Sequence, residues 1–275
     1  MSRNAIIQSS SYSGKIVLIT GAARGIGKNI AIRFAGKKET VIIADLNEQL
    51  GKKTVSELTA EKLRAHFIRC NLSLQGEPEK LIKSVVKKFG RIDILVNNAR
   101  SKSQSPVFGE TEKSWNTVIG VTLKAAYFCS QAAVSEMKKT GGGVIINISS
   151  VEAILAGKDS PVYQISKTAI LSMTRYFALH AGEFNIRVNA VLPGFIVQDE
   201  HQKSFNADKN SQYRKIAIFA HPLKRVGTSD DIAAAVEFLS SAHAGFITGQ
   251  TLIVDGGLTI QEPSNLVYRF NKTSE

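Results

Sequence analysis

The sequence has few of the residues that build metal centres and disulfide frameworks. Its 275 residues include two cysteines, Cys70 and Cys129, which lie far apart, and five histidines without paired spacing. We therefore expect no metal site, and the scarcity of cysteine favours a reducing, cytoplasmic location. No stretch approaches ~18 uninterrupted apolar residues, and residues 1–14 lack the apolar core of a signal peptide. These absences predict a protein without membrane attachment.

Negative charge is scarce in the first part of the chain. Residues 1–102 hold 19 Lys and Arg against 8 Asp and Glu, and the whole chain carries a formal charge of +12. The basic residues are spread out, with no run longer than two lysines. A solvated surface accounts for this distribution. The alternatives are a positive field that attracts anionic cofactors or acyl-carrier substrates, and nucleic-acid binding. We expect no specific nucleic-acid partner.

Short β-branched runs alternate with longer amphipathic segments along most of the chain. The apolar runs are almost continuous, as in strands that are buried on both faces. This alternation predicts a single α/β domain, a Rossmann-type doubly wound parallel sheet of about seven strands with helices on both faces. The predicted strands are Ile16–Thr20, Val41–Asp45, His66–Cys70, Ile94–Asn97, Val144–Ser149, Arg187–Val191 and Thr251–Asp255. The predicted helices are Gly25–Ala35, Asn47–Leu63, Glu77–Phe89, Glu112–Lys139, Pro161–Gly182 and Ser229–Ser241.

One long polar connection interrupts this pattern. Residues 195–224 lie between a predicted strand and the last predicted helix, and a connection of that length is typical of a lid or a binding loop. We expect this lid segment (residues 195–224) to close over a substrate. Residues 1–13 and 261–275 are predicted to be terminal tails at the surface.

A glycine-rich loop, Thr20–Gly27, follows the first predicted strand and opens the first helix. Its glycines allow a tight turn and a close approach of the backbone to a pyrophosphate. Asp45 ends the next strand, where a carboxylate accepts hydrogen bonds from an adenosine ribose and repels a 2′-phosphate. NAD is therefore favoured over NADP, although Arg24 could pair with a 2′-phosphate. The loop residues expected to bind the cofactor are Gly21, Arg24, Gly25, Ile26 and Gly27.

Three further residues can carry proton transfer. Ser150 follows the predicted strand Val144–Ser149, and Tyr163 and Lys167 lie four residues apart, which places them on one helix face. A cationic lysine beside a phenol favours the phenolate. The pair can therefore pass a proton to or from an alcohol oxygen while a nicotinamide takes or gives a hydride. Ser150 can hydrogen-bond the same oxygen.

Together these segments resemble the short-chain dehydrogenase/reductase family over roughly residues 13–260, and in particular its 3-oxoacyl-carrier-protein reductase-like members. The motifs occur in the family's order along the chain. They are Thr20–Gly27, Asp93–Ala99, Asn147–Ser150, Tyr163 with Lys167, Arg187–Gly194, Thr248–Gln250 and Val254–Gly257. This combination is specific for the fold and for a dinucleotide site, and it says little about the substrate.

The resemblance implies roles for individual residues. Tyr163 would be the general acid and base, Ser150 its partner at the substrate oxygen, and Lys167 a ligand of the nicotinamide ribose. The other implied cofactor contacts are Asn71 and Leu72 near the adenine, Asn98 and Ala99 near the adenosine ribose, and Pro193, Gly194 and Ile196 beside the nicotinamide.

Three positions depart from the family pattern. Thr122 stands where the family has an asparagine that is thought to hold a water behind the lysine, so we expect real but reduced turnover. Arg100 replaces the glycine that ends the fourth-strand motif. Asn71 replaces an acid that contacts adenine, a milder change because its amide can still bind.

The residues and the resemblance predict an NAD-preferring oxidoreductase that interconverts a secondary alcohol and a ketone, possible substrates including a 3-oxoacyl thioester. The alternative is a protein of the same fold that binds dinucleotide with little or no turnover. The helices Glu112–Lys139 and Pro161–Gly182 carry apolar residues on more than one face. This additional apolar surface, together with the resemblance, predicts a homotetramer or a homodimer.

Overall fold

A parallel sheet forms the centre of the molecule. The computed structural model describes residues 14–103, 105, 108–157 and 160–272. In that part of the chain, seven strands pair in the order β3-β2-β1-β4-β5-β6-β9, and two short strands, β7 and β8, pair separately. The strands are β1 (Ile16–Thr20), β2 (Thr40–Asp45), β3 (Ala65–Arg69), β4 (Ile94–Asn97), β5 (Gly143–Ile148), β6 (Ile186–Pro193), β7 (Ile196–Val197), β8 (Gly227–Thr228) and β9 (Thr251–Val254).

Helices cover both faces of this sheet. The α-helices of the described residues are α1 (Gly25–Gly36), α2 (Glu48–Ala60), α3 (Glu77–Phe89), α4 (Glu112–Ile119), α5 (Ala125–Met137), α6 (Pro161–Ala181), α7 (Gln202–Asn206), α8 (Ser211–Ala220), α9 (Ser229–Ser240) and α10 (Pro263–Lys272). A π-helical turn, Gly120–Lys124, joins α4 to α5. The predicted parallel sheet with helices on both faces is confirmed.

Two hydrophobic layers attach the helices to the sheet. Leu18 in β1 belongs to the layer that contains residues of α3, α5 and α6, whereas Val17 and Ile19 belong to the layer with α1 and α9. Successive residues of the strand therefore pack on opposite faces. Because both faces of the central strands are covered, these strands read as continuous apolar runs rather than as alternating patterns.

The strand order reverses between β1 and β4. On one side β1 pairs with β2, with Ile19 opposite Ile43, and on the other side it pairs with β4, with Ile19 opposite Val96. The chain leaves β1 toward one face of the sheet and β4 toward the other. A crevice therefore opens at the carboxyl ends of β1 and β4, which is where ligands bind in sheets of this kind.

The structure differs from the predicted elements in three places. The predicted helix Glu112–Lys139 is a single helical stretch that widens into the π turn at its middle. The lid segment is folded into β7, α7 and α8 rather than an open connection. Residues 261–275, predicted as a surface tail, contain the helix α10, and Arg269 in it donates to the carbonyl oxygen of Phe219 at 2.8 Å. The predicted tail at residues 1–13 lies outside the described residues.

In the described part of the chain, one helical stretch, Glu112–Thr140, is long and apolar enough to cross a membrane by length and composition. Cys129, Ala133 and Met137 on this stretch are fully buried in the layer that covers one face of the sheet. The apolar character of the helix is therefore explained by its place in the core.

Candidate active site

The glycine-rich loop lies directly on the end of β4. Gly21 has a φ of 63°, and a Cβ at this position would lie 2.8 Å from the Cα of Ala99. Gly25 has a φ of 57°, and a Cβ there would lie 1.9 Å from Oε1 of Gln198, a residue of the lid segment. Glycine adopts the left-handed conformation at both positions without strain, and at Gly21 it also allows the close approach of the Ala99 backbone.

Side-chain hydrogen bonds hold the loop to β4. Asn98 Nδ2 donates to the carbonyl oxygens of Thr20 and Gly21, each at 2.9 Å. The Thr20 hydroxyl accepts from the backbone N–H groups of Asn98 at 3.0 Å and Ala99 at 3.1 Å. The Asn98 amide therefore supports the loop, in addition to the ribose contact that the resemblance implies for it.

A cleft of about 860 Å³ opens beside the loop at the reversal of the strand order. Nine of the predicted cofactor residues line it, namely Gly21, Arg24, Ile26, Gly27, Asp45, Asn71, Leu72, Asn98 and Ala99. The other predicted cofactor residues lie outside this lining, namely Gly25, Tyr163, Lys167, Pro193, Gly194 and Ile196. Backbone N–H groups at the start of α1 and a carboxylate at the end of β2 fit the phosphates and the ribose of a dinucleotide.

Asp45 is fixed at the wall of this cleft. Its Oδ2 accepts from the backbone N–H of Ala23 at 3.1 Å, and its Oδ1 accepts from that of Asn47 at 2.9 Å. Arg24, which also lines the cleft, places its Nε 3.8 Å from Oε1 of Glu200 in the lid segment. The carboxylate is therefore held in the cleft, whereas the arginine is directed to a carboxylate of its own chain.

The predicted proton-transfer residues gather at the end of β5. Lys167 Nζ donates to the carbonyl oxygen of Ile148 at 2.7 Å and lies 5.6 Å from the centroid of the Tyr163 ring. Ser150 follows two residues after Ile148, and its Oγ accepts from the backbone N–H of Glu152 at 3.2 Å. The side chains of Tyr163 and Lys167 are almost completely buried. The structure thus brings Lys167 to the same strand end as Ser150, and Tyr163 beside it.

The ammonium group of Lys167 is in an unfavourable environment for its charge. Burial, together with the nearby charges of Arg100 and Lys102, lowers the pKa of Lys167 from 10.5 to about 7. A group with this pKa changes its charge near neutral pH.

Among the described residues, no group of three or more His, Cys, Asp or Glu side chains is placed to hold a metal ion.

A protein-family model described as enoyl-(acyl carrier protein) reductase matches residues 21–259, which include the glycine-rich loop from Gly21 onward and the predicted proton-transfer residues. The chain belongs to the short-chain dehydrogenase/reductase family. The prediction of an oxidoreductase is confirmed.

Relatives in this family are similar over nearly their whole length. The 3-oxoacyl-acyl-carrier-protein reductase FabG of Thermotoga maritima is 35% identical, over 90% of this chain and 98% of the relative. The 7alpha-hydroxysteroid dehydrogenase of Bacteroides fragilis is 32% identical, over 93% and 99%. The crystal structure of acetoin dehydrogenase YohF from Salmonella typhimurium has a TM-score of 0.80 at 31% identity, with 90% and 97% covered. These three names refer to three different substrates.

In this short-chain dehydrogenase/reductase, Thr122 bonds to the loop that follows β4. It lies buried in the π turn, where its hydroxyl accepts from the N–H of Ser101 at 3.1 Å and donates to the carbonyl oxygen of Ser101 at 3.3 Å. The expectation that Thr122 holds a water behind the lysine stays a prediction. In the structure its hydroxyl supports that loop through both bonds to Ser101.

Two residues at the site were missed by sequence reasoning. Lys102 Nζ lies 4.6 Å from the centroid of the Tyr163 ring, and Gln198 packs its side chain over Gly25. Both lie in irregular segments next to recognised motifs. Lys102 could have been suspected because it is a basic residue close to Arg100, but the local sequence does not show which way this loop folds.

Proposed function

We propose that the protein transfers a hydride between NAD and a secondary alcohol or ketone, with NAD preferred over NADP. A bound nicotinamide dinucleotide supplies or takes the hydride. The Tyr163 hydroxyl gives a proton to the carbonyl oxygen in reduction and takes it back in oxidation, and Ser150 hydrogen-bonds the same oxygen. Lys167, beside the phenol, stabilises the phenolate while it is cationic.

The position of Asp45 is the observation that supports NAD. Its carboxylate is held at the cleft wall by the N–H groups of Ala23 and Asn47, so it can accept bonds from ribose hydroxyls without rearrangement. A 2′-phosphate at that place would meet a fixed negative charge. Arg24, the residue that could offset this charge, is 3.8 Å from Glu200.

Replacement of Asp45 by Asn should narrow the preference for NAD by about tenfold, because it removes the negative charge and keeps the shape of the side chain. Dissociation constants of NADH and NADPH, measured by fluorescence titration, give the ratio directly. Glu48→Gln is the matched control, since Glu48 is an exposed acid at the start of α2 that pairs with Lys52, and it should leave the ratio unchanged. Tighter binding of NADPH than NADH by the parent protein would refute the assignment and would favour Arg24.

The substrate class that we propose is a ketone or secondary alcohol, with a 3-oxoacyl thioester as one form of it. The second candidate is a dinucleotide-binding protein with little or no turnover, which is favoured by Thr122 and Arg100 at two family positions. NADH titration followed by a panel of ketones and a 3-oxoacyl thioester separates the two. Binding with turnover supports the enzyme, and binding without turnover across the panel supports the second candidate.

We also propose that the protein is a cytoplasmic homodimer or homotetramer that binds neither membranes nor specific nucleic acid. Support for assembly comes from α5 and α6, between which lies an open, mostly apolar groove of about 500 Å³. Further along α6, Tyr176 and Leu179 are 53% and 77% exposed. Apolar helix faces of this kind are commonly buried between subunits.

The parent protein should have the mass of a dimer or a tetramer in light scattering at micromolar concentration. Phe128→Glu, which places a charge in the groove, should lower that mass because an unpaired charge in an interface is costly. Leu74→Glu is the control, since Leu74 is 55% exposed and precedes α3, away from the groove. A monomeric parent would show that these helix faces are not an interface.

A further inference from the structure

Polar groups at the end of β5 bond to the buried face of α6. Lys167 is held twice, because its Nζ donates to the carbonyl oxygen of Ile148 and its own carbonyl oxygen accepts from Oγ of Ser149, each at 2.7 Å. Further along both elements, Asn147 Nδ2 donates to Oγ1 of Thr174 at 2.9 Å. Three consecutive residues at the strand end therefore bond to one helix.

These bonds lie out of reach of solvent. Ser149 is 3% exposed and Lys167 is 1% exposed, and Asn147 and Thr174 are buried as well. A hydrogen bond is directional, and in a buried place water does not compete for its groups. The bonds therefore fix α6 against the end of β5 more specifically than apolar packing alone.

The hydroxyl of Ser149 is not needed to complete the helix. Lys167 lies inside α6, where a carbonyl oxygen accepts from the backbone N–H four residues further on. A carbonyl oxygen has two lone pairs, so that of Lys167 can accept both this bond and the one from Ser149. Removal of the hydroxyl would leave the helix bond in place. The specific effect of the Ser149 bond is to join the helix to the strand end.

The two joined elements carry different parts of the proton-transfer site. Ser150 directly follows Ser149, whereas Tyr163 lies about one turn before Lys167 on α6. In the proposed reaction Ser150 and Tyr163 bond to the same substrate oxygen, and a displacement of about 1 Å in such a site can cost about 100-fold in rate. The link between strand end and helix therefore bears directly on the rate.

We propose that Ser149 is a positioning residue of the reaction. Its hydroxyl fixes α6 to the end of β5, so that Ser150 and Tyr163 meet the same oxygen of the substrate. Ser149 acts through the backbone of Lys167, to which its Oγ donates, and exchanges no proton with the substrate. This inference rests on the proposed oxidoreductase function.

Ser149→Ala should lower kcat by roughly tenfold, while KM and the dissociation constant of NADH should change by less than about twofold. The assay follows the oxidation of NADH with methyl acetoacetate, or with the ketone of the panel that the parent reduces fastest. Ser149→Thr keeps a hydroxyl at this place and should keep kcat within about threefold of the parent value.

Ser166→Ala is the matched control. Ser166 is fully buried on the same helix, and its Oγ donates to the carbonyl oxygen of Val162 at 2.7 Å, within α6. Each alanine variant loses one buried serine bond of the same length, so the two should have similar decreases in Tm. Only Ser149→Ala should lose activity, because Ser166 does not join the helix to the strand.

The outcomes separate this inference from the proposed function. A parent-like kcat in Ser149→Ala, or an equal loss of kcat in Ser166→Ala, would overturn the positioning role and leave the proposed function intact. So would a Ser149→Thr variant as slow as Ser149→Ala. A shifted pH profile of kcat in Ser149→Ala would make the hydroxyl part of proton transfer and would also contradict the role. Absence of turnover with every ketone would overturn the proposed function, and this inference with it.

Discussion

Tyr163→Phe is expected to lower kcat by about 10²–10⁴-fold, the usual contribution of a positioned general acid or base. The ring of Tyr163 packs in a small cluster with Val118 and Val162, and phenylalanine keeps these contacts. The variant should therefore fold normally and bind NADH with a dissociation constant close to that of the parent. Steady-state kinetics on any ketone that the parent reduces, with an NADH titration, measure both quantities.

Tyr176→Phe is the matched control for this variant. Tyr176 lies on the same helix but is 53% exposed, and loss of its hydroxyl should not change kcat. If Tyr163→Phe keeps more than about a tenth of the parent rate, a group other than this phenol supplies the proton.

Lys167→Met should abolish turnover and at the same time stabilise the fold at acidic pH. In the folded protein burial lowers the pKa of Lys167 from 10.5 to about 7, so between these pH values the unfolded chain binds more protons than the folded one. Stability therefore rises with pH across this window, and the cost of the buried charge is complete below about pH 7. At pH 6 the unfolding free energy of the variant should be higher than that of the parent by roughly 2–4 kcal/mol. This figure already allows for the loss of the hydrogen bond from Lys167 to Ile148.

The pH dependence of the gain is the decisive measurement. Denaturant unfolding of parent and variant at pH 6, 8 and 10 should show a difference that shrinks as the pH rises. Lys83→Met at an exposed position of α3 should show a small difference without this trend. A difference between Lys167→Met and the parent that does not vary with pH would mean that Lys167 keeps an ordinary pKa in the folded state.

The parts of the molecule that local sequence determines were predicted well. The sheet followed from apolar runs, and the glycine-rich loop from glycines between a strand and a helix, with Asp45 ending the next strand. The structure shows why these signals suffice. Gly21 lies so close to the end of β4 that a Cβ would be 2.8 Å from the Cα of Ala99, so the glycine in the motif is the residue that this contact requires.

Features that depend on distant contacts could not be predicted in the same way. Thr122 and Arg100 were recognised as departures, but the bonds between Thr122 and Ser101 join residues 21 positions apart. The helix α10 is held through Arg269 and Phe219, which are separated by 50 positions. In both cases the sequence shows residue types whose partners only the folded chain brings together.

The contacts between the lid segment and the glycine-rich loop have a kinetic consequence. Gln198 packs over Gly25, Asn29 donates to Asp199 at 2.8 Å, and Arg24 faces Glu200. We expect a dinucleotide that binds against this wall to compete with Gln198 for the space beside Gly25, so that these contacts slow its association. We expect the same contacts to slow its dissociation, so that they affect its residence time as well as its entry.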